Sequence, residues 1–440
     1  MSISSESIDI KGLNPLHSPD DSTSSALGAP LASAEHRQLA ILGDAPAFTE
    51  ALLVGRPNIS NRDAFLTRIE TMLDSRQFTN MGPMVQHFET RVAEISEQRH
   101  AIATCNATVG LELAVSALGM SGEVIVPSFT FIASTHALWR QGIRPIFCDI
   151  DPATHCLDPE KVRAAITPQT TGILGVSLWG NYAGEAELRK IADDHGLAFL
   201  LDSAHSFGCM EARGGLDERC HAEVFSFHAT KCLHALEGGA IVTSDDELAE
   251  RLRLMVNFGF SGEDRVTYLG TNGKMSEASA AMGLTSLEAK DEVFAHNREN
   301  FLTYAKGLAP IPGIRLLTRN PNSAHNFQYI VAEVDAETTG ISRNDIVSAL
   351  RLENVLARRY FHPSCHRMEP YRSLFPDAGQ VLPETEAVSD RVMVLPNGLA
   401  VQPPDIDILT SRIAAIVARG PEVRAALENC TDPRLPEFSS

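Results

Sequence analysis

Between His100 and Thr243 the chain repeats one pattern, a short β-branched and aliphatic run followed by a stretch with helical periodicity. His100–Thr104, Glu123–Val126, Pro145–Asp149, Gly172–Val176, Ala198–Asp202, Glu223–Phe227 and Gly239–Thr243 read as strands. Val109–Leu118, Thr135–Gln141, Pro159–Ala165 and Glu185–His195 read as the helices between them. Parallel neighbours need long crossovers, so this alternation predicts an α/β protein, a mainly parallel central sheet flanked by helices. Ligands gather at the carboxyl ends of such strands. Position alone therefore makes Asp202, at the end of Leu-Ala-Phe-Leu-Leu, a candidate site residue.

The flanks differ in texture. Residues 1–45 are rich in Ser, Ala, Asp and Pro and read as a flexible N-terminal extension, with too few apolar groups to offset the entropy of ordering. Arg62–Ser75 and Val85–Glu97 read as amphipathic helices, Asp246–Phe258 as a helix, and Ser276–Ala295 as one long helix. From about residue 310 the pattern becomes α+β, with strands near Ile314–Leu317 and Gln328–Val334, a helix at Arg343–Glu353 and a closing helix at Pro404–Ala418. The predicted domains are a large ligand-binding one over 46–309 and a smaller C-terminal one over 310–440.

Charge and cysteine usage narrow the function classes. A net charge of −19 argues against nucleic acid or an anionic membrane as partner, while leaving room for a small anion held by local N–H groups. Eight cysteines show no Cys-x-x-Cys pair and no zinc spacing, so no metal is expected and free thiols in the cytoplasm are. There is no secretory pattern and no apolar run near the length of a membrane span.

Three stretches carry chemistry. In Phe225-Ser226-Phe227-His228-Ala229-Thr230-Lys231, followed by Glu237-Gly238-Gly239, a lysine lies between two apolar strands. Burial there would lower its pKa and free the lone pair for covalent chemistry; taken alone, the same lysine reads first as a surface residue on a turn. Asp202 in Leu201-Asp202-Ser203-Ala204-His205 is either a helix cap or a buried carboxylate suited to a protonated ring nitrogen. Cys105-Asn106-Ala107-Thr108-Val109-Gly110 follows a strand and opens a helix, which makes it an anion site. Thr108 adds a hydroxyl there or merely caps the helix.

In order and spacing these pieces resemble the DegT/DnrJ/StrS family, sugar aminotransferases of the type I aminotransferase fold, from about Asn58 to Ala418. The resemblance is carried by Val126-Pro127-Ser128-Phe129-Thr130-Phe131, Asp202 to His205, Ser226 to Gly239, and Gly270-Thr271-Asn272-Gly273-Lys274-Met275-Ser276-Glu277. It implies pyridoxal 5'-phosphate as cofactor, held on Lys231 as a Schiff base, with Asp202 paired to the pyridine nitrogen; these two are the catalytic candidates. It places His205 beside the cofactor's phenolic oxygen and Phe131 on its ring. Thr108, Ser226 and the backbone of Ala107 and Val109 fall at the phosphate. Asn272 falls where relatives reach the phosphate from a neighbouring subunit, which implies a homodimer with shared active sites.

The same resemblance implies a transaminase that works in two half-reactions. Its amino donor would be L-glutamate or L-glutamine and its acceptor a nucleotide-linked keto-deoxysugar, aminated at C3 or C4. Alternatives within the family are a keto-cyclitol or aminohydroxybenzoate-type acceptor, a sugar dehydratase, and a non-catalytic sensor. Lys231 argues against the dehydratase, whose relatives carry histidine there. Departures from the family pattern include Ala107-Thr108 for Gly-Thr, Ser177-Leu178-Trp179-Gly180 for His-Leu-Tyr-Gly, and Lys274 for arginine. Lys274, Arg358 and Arg359 are the cations available to a diphosphate, or else solvated or ion-paired surface charge.

Overall fold

The computed structural model describes residues 39–209, 219–317 and 324–435. Seven strands form the central sheet: β1 (His100–Thr104), β2 (Glu123–Pro127), β3 (Arg144–Cys148), β4 (Thr170–Val176), β5 (Ala198–Asp202), β6 (Ala222–Ser226) and β7 (Gly239–Thr243). Their spatial order is β1-β7-β6-β5-β4-β2-β3. Every pairing is parallel except those of β7, which runs antiparallel to both β1 and β6. The carboxyl ends of β1 through β6 therefore share one edge of the sheet, and β7 starts from that edge.

Period-two alternation builds a core on each face. Ile102, Val124, Val126, Leu174, Leu200, Val224 and Ile241 point to one side, where they pack with residues of the helices Ala107–Ala117 and Asp246–Met255. Ile125, Ile173, Phe199 and Leu201 point to the other, against the helix Glu185–His195, while Phe225, Ala240 and Val242 meet the helices Pro83–Ser96 and Glu277–Glu288. Each fully buried Leu, Ile or Val contributes on the order of 2 kcal/mol. Most sheet elements lie within two or three residues of their sequence-based bounds.

Three differences have local causes. The long helix expected over Ser276–Ala295 is two: Glu277–Glu288 ends at Ala289 (φ −92, ψ 7), and Lys290–Leu308 then starts with Asp291 and Glu292 in its first turn, where carboxylates favour a new N-terminus. The helix Pro403–Ala418 does not close the chain, because Gly420–Glu428 follows it as another. A strand, Val392–Leu395, that the sequence reading passed over completes an antiparallel three-stranded sheet with Ile314–Leu316 and Ile330–Val334.

That small sheet and the helices Lys290–Leu308, Arg343–Leu352 and Pro403–Ala418 enclose another core, around Tyr304, Ile330, Val347, Met393 and Ile413. Leu39 (1 % exposed) and Phe48 also pack there. The tail of the expected extension, from Leu39, is thus packed structure, tied down by Glu353, whose carboxylate accepts from the N–H groups of Ala40 and Ala47, each at 2.8 Å. Residues 1–38 lie outside the described residues. Among those described, no helix is long and apolar enough to cross a membrane, and no cluster of three or more His, Cys, Asp or Glu is placed to hold a metal.

Candidate active site

The sheet register brings three of the chemical stretches to one edge. Thr104, Gly239 and Ser226 stand side by side across β1, β7 and β6, and Asp202 pairs with Val224 one strand further on. Between Ser226 and Gly239 the chain loops out, its turn closed by the Lys231 N–H donating to the carbonyl of His228 at 2.8 Å. The amine of Lys231 donates to the Tyr329 hydroxyl at 3.2 Å. Burial pulls its pKa down to about 8, against the opposing charge of Asp202.

Asp202 is 5 % exposed. Burial raises its pKa; the Ser134 hydroxyl, donating to Oδ2 at 2.7 Å, the Ala204 N–H, donating to Oδ1 at 3.1 Å, and Lys231 all pull it back. Lysine and acid thus feel each other's charge, and the burial of Asp202 strengthens that interaction relative to one in open water.

The helix Ala107–Ala117 opens on the same edge, and the first N–H groups of a helix have no partner within it. Asn106 caps the helix, its side chain accepting from the Val109 N–H at 2.9 Å. The Val109 N–H, expected to face an anion, is engaged by this cap here, and the helix's first N–H groups at Ala107 and Thr108 point to the same edge. Asn106 fills the capping role, so Thr108 is not the cap. Ser226, half-buried at the end of β6, faces the same start through its pairing with Gly239.

Gly239 is required by close approach. A Cβ there would lie 2.6 Å from the nitrogen of Ala107 and equally close to Asn106 C and Thr104 Oγ1. Gly239→Ala is expected to cost about 1–3 kcal/mol through forced backbone shifts and to push the helix start away from β7. Thermal unfolding measures this, and an unchanged midpoint would show that the contact is not limiting.

Around Lys231 the structure adds the rings of Tyr329 and Phe361, which the sequence analysis does not single out, to those of His205 and Trp179. His205 lies 4.3 Å from the Tyr329 ring and stacks on Trp179 at 5.5 Å; Trp179 in turn stacks on Phe361 at 5.4 Å. The Trp179 indole N–H donates to His155 Nδ1 at 3.2 Å, so the other ring nitrogen of His155 carries its proton toward Glu333 Oε1 at 2.9 Å. Glu333 also pairs with Arg315 and Arg391 and is held down at about 2 by these partners, despite its burial. The column ahead of the lysine is therefore anchored in the small sheet.

Phe131 has the opposite character, with a ring 59 % exposed and its closest aromatic contact to Phe361 at 6.5 Å. The loop that presents it is pinned from behind. His366 Nδ1 lies 2.7 Å from the Ser128 hydroxyl, and its other nitrogen meets Glu386. Serine, histidine and carboxylate in that order resemble a hydrolytic triad, but Ser128 is fully buried and holds structure instead. Asn272 is exposed, bridged to Asn257, on a segment that also exposes Phe258, Phe260 and Leu269. Of the three cations noted above, Lys274 donates to Asn257 Oδ1 at 2.8 Å and Arg359 to Asn344 Oδ1 at 3.1 Å.

Comparison with known proteins agrees with this geometry. The model of the DegT/DnrJ/EryC1/StrS aminotransferase family matches residues 60–414. A dTDP-4-amino-4,6-dideoxy-D-glucose transaminase of Shigella dysenteriae is 33 % identical over 367 residues, 83 % of this chain and 99 % of that one. The crystal structure of DesI in the presence of its TDP-sugar product superposes with a TM-score of 0.83 at 46 % identity, covering 89 % of this chain and 99 % of DesI. A 3-amino-5-hydroxybenzoic acid synthase superposes with a TM-score of 0.76 at 29 % identity, covering 84 % and 100 %. The fold of these neighbours is that of the type I PLP-dependent aminotransferases.

Proposed function

This chain belongs to the DegT/DnrJ/EryC1/StrS aminotransferase family, and from that premise we propose that it moves an amino group from L-glutamate or L-glutamine to C4 of a nucleotide-linked keto-deoxysugar. The observation that carries the chemistry is the half-buried Lys231 set within reach of the charge of the buried Asp202 at the carboxyl edge of the sheet. The choice of acceptor and of C4 rests on the named relatives, at 33 % identity over nearly their whole length.

The residues present fit pyridoxal phosphate. A phosphate suits the free N–H groups of Ala107 and Thr108 with the hydroxyls of Thr108 and Ser226, where the close approach at Gly239 keeps the cradle narrow. A protonated ring nitrogen suits the carboxylate of Asp202, a flat ring suits the exposed face of Phe131, and a phenolic oxygen suits His205. Asn272 is proposed to reach the phosphate of a neighbouring subunit, the exposed Phe258, Phe260 and Leu269 around it being the apolar surface a homodimer would cover.

When bound, the cofactor supplies an aldehyde that condenses with amines and a conjugated ring that accepts the electrons released at carbon. The protein supplies the rest. Lys231 Nζ would act as the general base that takes the proton from the donor's α-carbon in the first half-reaction and, in the second, as the general acid that delivers a proton to the acceptor carbon. Asp202 holds positive charge at the ring nitrogen, and Ser134 and Ala204 hold Asp202 in its charge-accepting form. The Tyr329 hydroxyl accepts from the Lys231 amine, and the rings of His205 and Trp179 pack behind Tyr329.

A pH effect follows with a definite sign. Only the neutral amine attacks an aldehyde, and burial sets the Lys231 amine free above about 8 rather than near the usual lysine value. Cofactor-free protein should therefore capture pyridoxal phosphate faster as pH rises from 7 to 9, levelling off soon after. A rate still climbing steeply at pH 10 would mean that Lys231 is not desolvated.

The acceptor is tested by a half-reaction screen. Enzyme first converted to its amine form with glutamate is offered nucleotide ketosugars, keto-cyclitols and aminohydroxybenzoate-type precursors. Return of the original cofactor absorbance with the ketosugar alone supports the proposal. Return with the benzoate-type precursor alone would favour the reading suggested by the 29 % identical synthase.

A further inference from the structure

A cavity of about 240 Å³ opens beside the lysine, lined by Gly55, Thr230, Tyr329, Leu356, Arg358 and Tyr360 among others. Two of these tie it to the reaction centre: Thr230 precedes Lys231 in the chain, and Tyr329 receives its hydrogen bond. The walls are built. Leu52–Leu53 pairs in parallel with Val355–Leu356, and the backbone of Arg358 exchanges two hydrogen bonds with Val394, at 2.9 and 2.8 Å. Gly55 lies so close to Thr230 that a Cβ would meet the threonine Cβ at 3.0 Å.

Charge in this corner runs against the rest of the chain, whose net charge is −19. The exposed guanidinium of Arg358 sits 5.2 Å over the Tyr360 ring, and among the described residues it has no hydrogen bond and no ion pair. No carboxylate lines the cavity. Burial, then the charge of Arg358, lowers Arg351; burial, then the charge of Arg351, lowers Arg359. Arg358 is the cation that lines the cavity, and its unengaged guanidinium makes a site for an oxyanion, whose planar or tetrahedral oxygens match the arginine fork. The volume lies below the roughly 300 Å³ of a whole drug-sized ligand site, so it suits the charged end of a substrate.

We propose that Arg358 anchors a substrate oxyanion, the diphosphate of the nucleotide sugar or the carboxylate of the amino donor, and so fixes the reacting carbon at Lys231. This rests on the sugar-aminotransferase reading above. The test is calorimetric titration of cofactor-loaded wild type, Arg358→Gln and Arg358→Lys with thymidine diphosphate and, separately, with 2-oxoglutarate. Arg358→Gln should bind one of them about ten- to a hundredfold more weakly, and Arg358→Lys, which keeps charge without the fork, should regain part of the loss. Weakening for thymidine diphosphate assigns the diphosphate, and weakening for 2-oxoglutarate assigns the donor carboxylate. Weakening for both assigns a position that the substrates occupy in turn. Undiminished affinity of Arg358→Gln for both overturns the inference. Wild type that binds neither overturns the reading it rests on instead.

Discussion

Lys231→Ala should remain folded and lose about four orders of magnitude or more in turnover, because in the proposed mechanism one side chain serves as both the covalent anchor and the proton carrier. The fold has little stake in this amine: its one side-chain hydrogen bond goes to Tyr329, and burial already disfavours its charged form. A thermal midpoint near that of wild type, alongside lost turnover, would separate chemistry from folding. Chemical rescue sharpens the result. Truncation leaves room beside Tyr329, so a small primary amine such as ethylamine should restore part of the rate, and more of it at higher pH where that amine is neutral. A Lys231→Ala protein with wild-type turnover would remove the basis of the proposed mechanism.

The candidate catalytic pair was legible because its signals are local. A lysine between two apolar strands and an acid at a strand end stand out in one dimension, and the sheet then makes them neighbours. The residues that complete the site are legible only in three. Ser134 lies well before Asp202 in sequence, just ahead of the expected helix Thr135–Gln141 and without a signal of its own, yet its hydroxyl is the strongest of the groups that oppose the burial of that carboxylate. Tyr329 comes from the small sheet and meets Lys231 only through tertiary packing.

Motif and role can also part. Ser276-Glu277 helped to carry the family resemblance, yet both are structural here. Ser276 caps its own helix, and the buried Glu277 accepts from the N–H groups of Met84 and Val85 to cap another. The expected helix over Ser276–Ala295 failed for a related reason. The residues on both sides of Ala289 favour a helix, and only the backbone turn there shows that one helix ends and another begins. Val109 shows the limit at finer scale: a helix start predicts free donors, but not which of them the neighbouring Asn106 has already taken.

Asp202→Asn is the second large effect, expected at two to four orders of magnitude in turnover, roughly the range seen when a preorganised charge is removed from a dry site. The amide is nearly isosteric and can still accept from Ala204, so the fold and substrate affinities should hold while turnover falls. Ser134→Ala provides the graded control. It removes one of the donors that oppose burial, so the carboxyl of Asp202 should rise further above its ordinary value. Activity that needs the ionised carboxylate is lost as pH falls through that pKa, so the acid limb of the pH–rate profile should move to higher pH. At the plateau above it the loss should be small, because the carboxylate is again charged there. A Ser134→Ala profile that keeps its acid limb in place while losing rate evenly at every pH would mean that the serine only packs. The acid limb would then belong to some group other than Asp202.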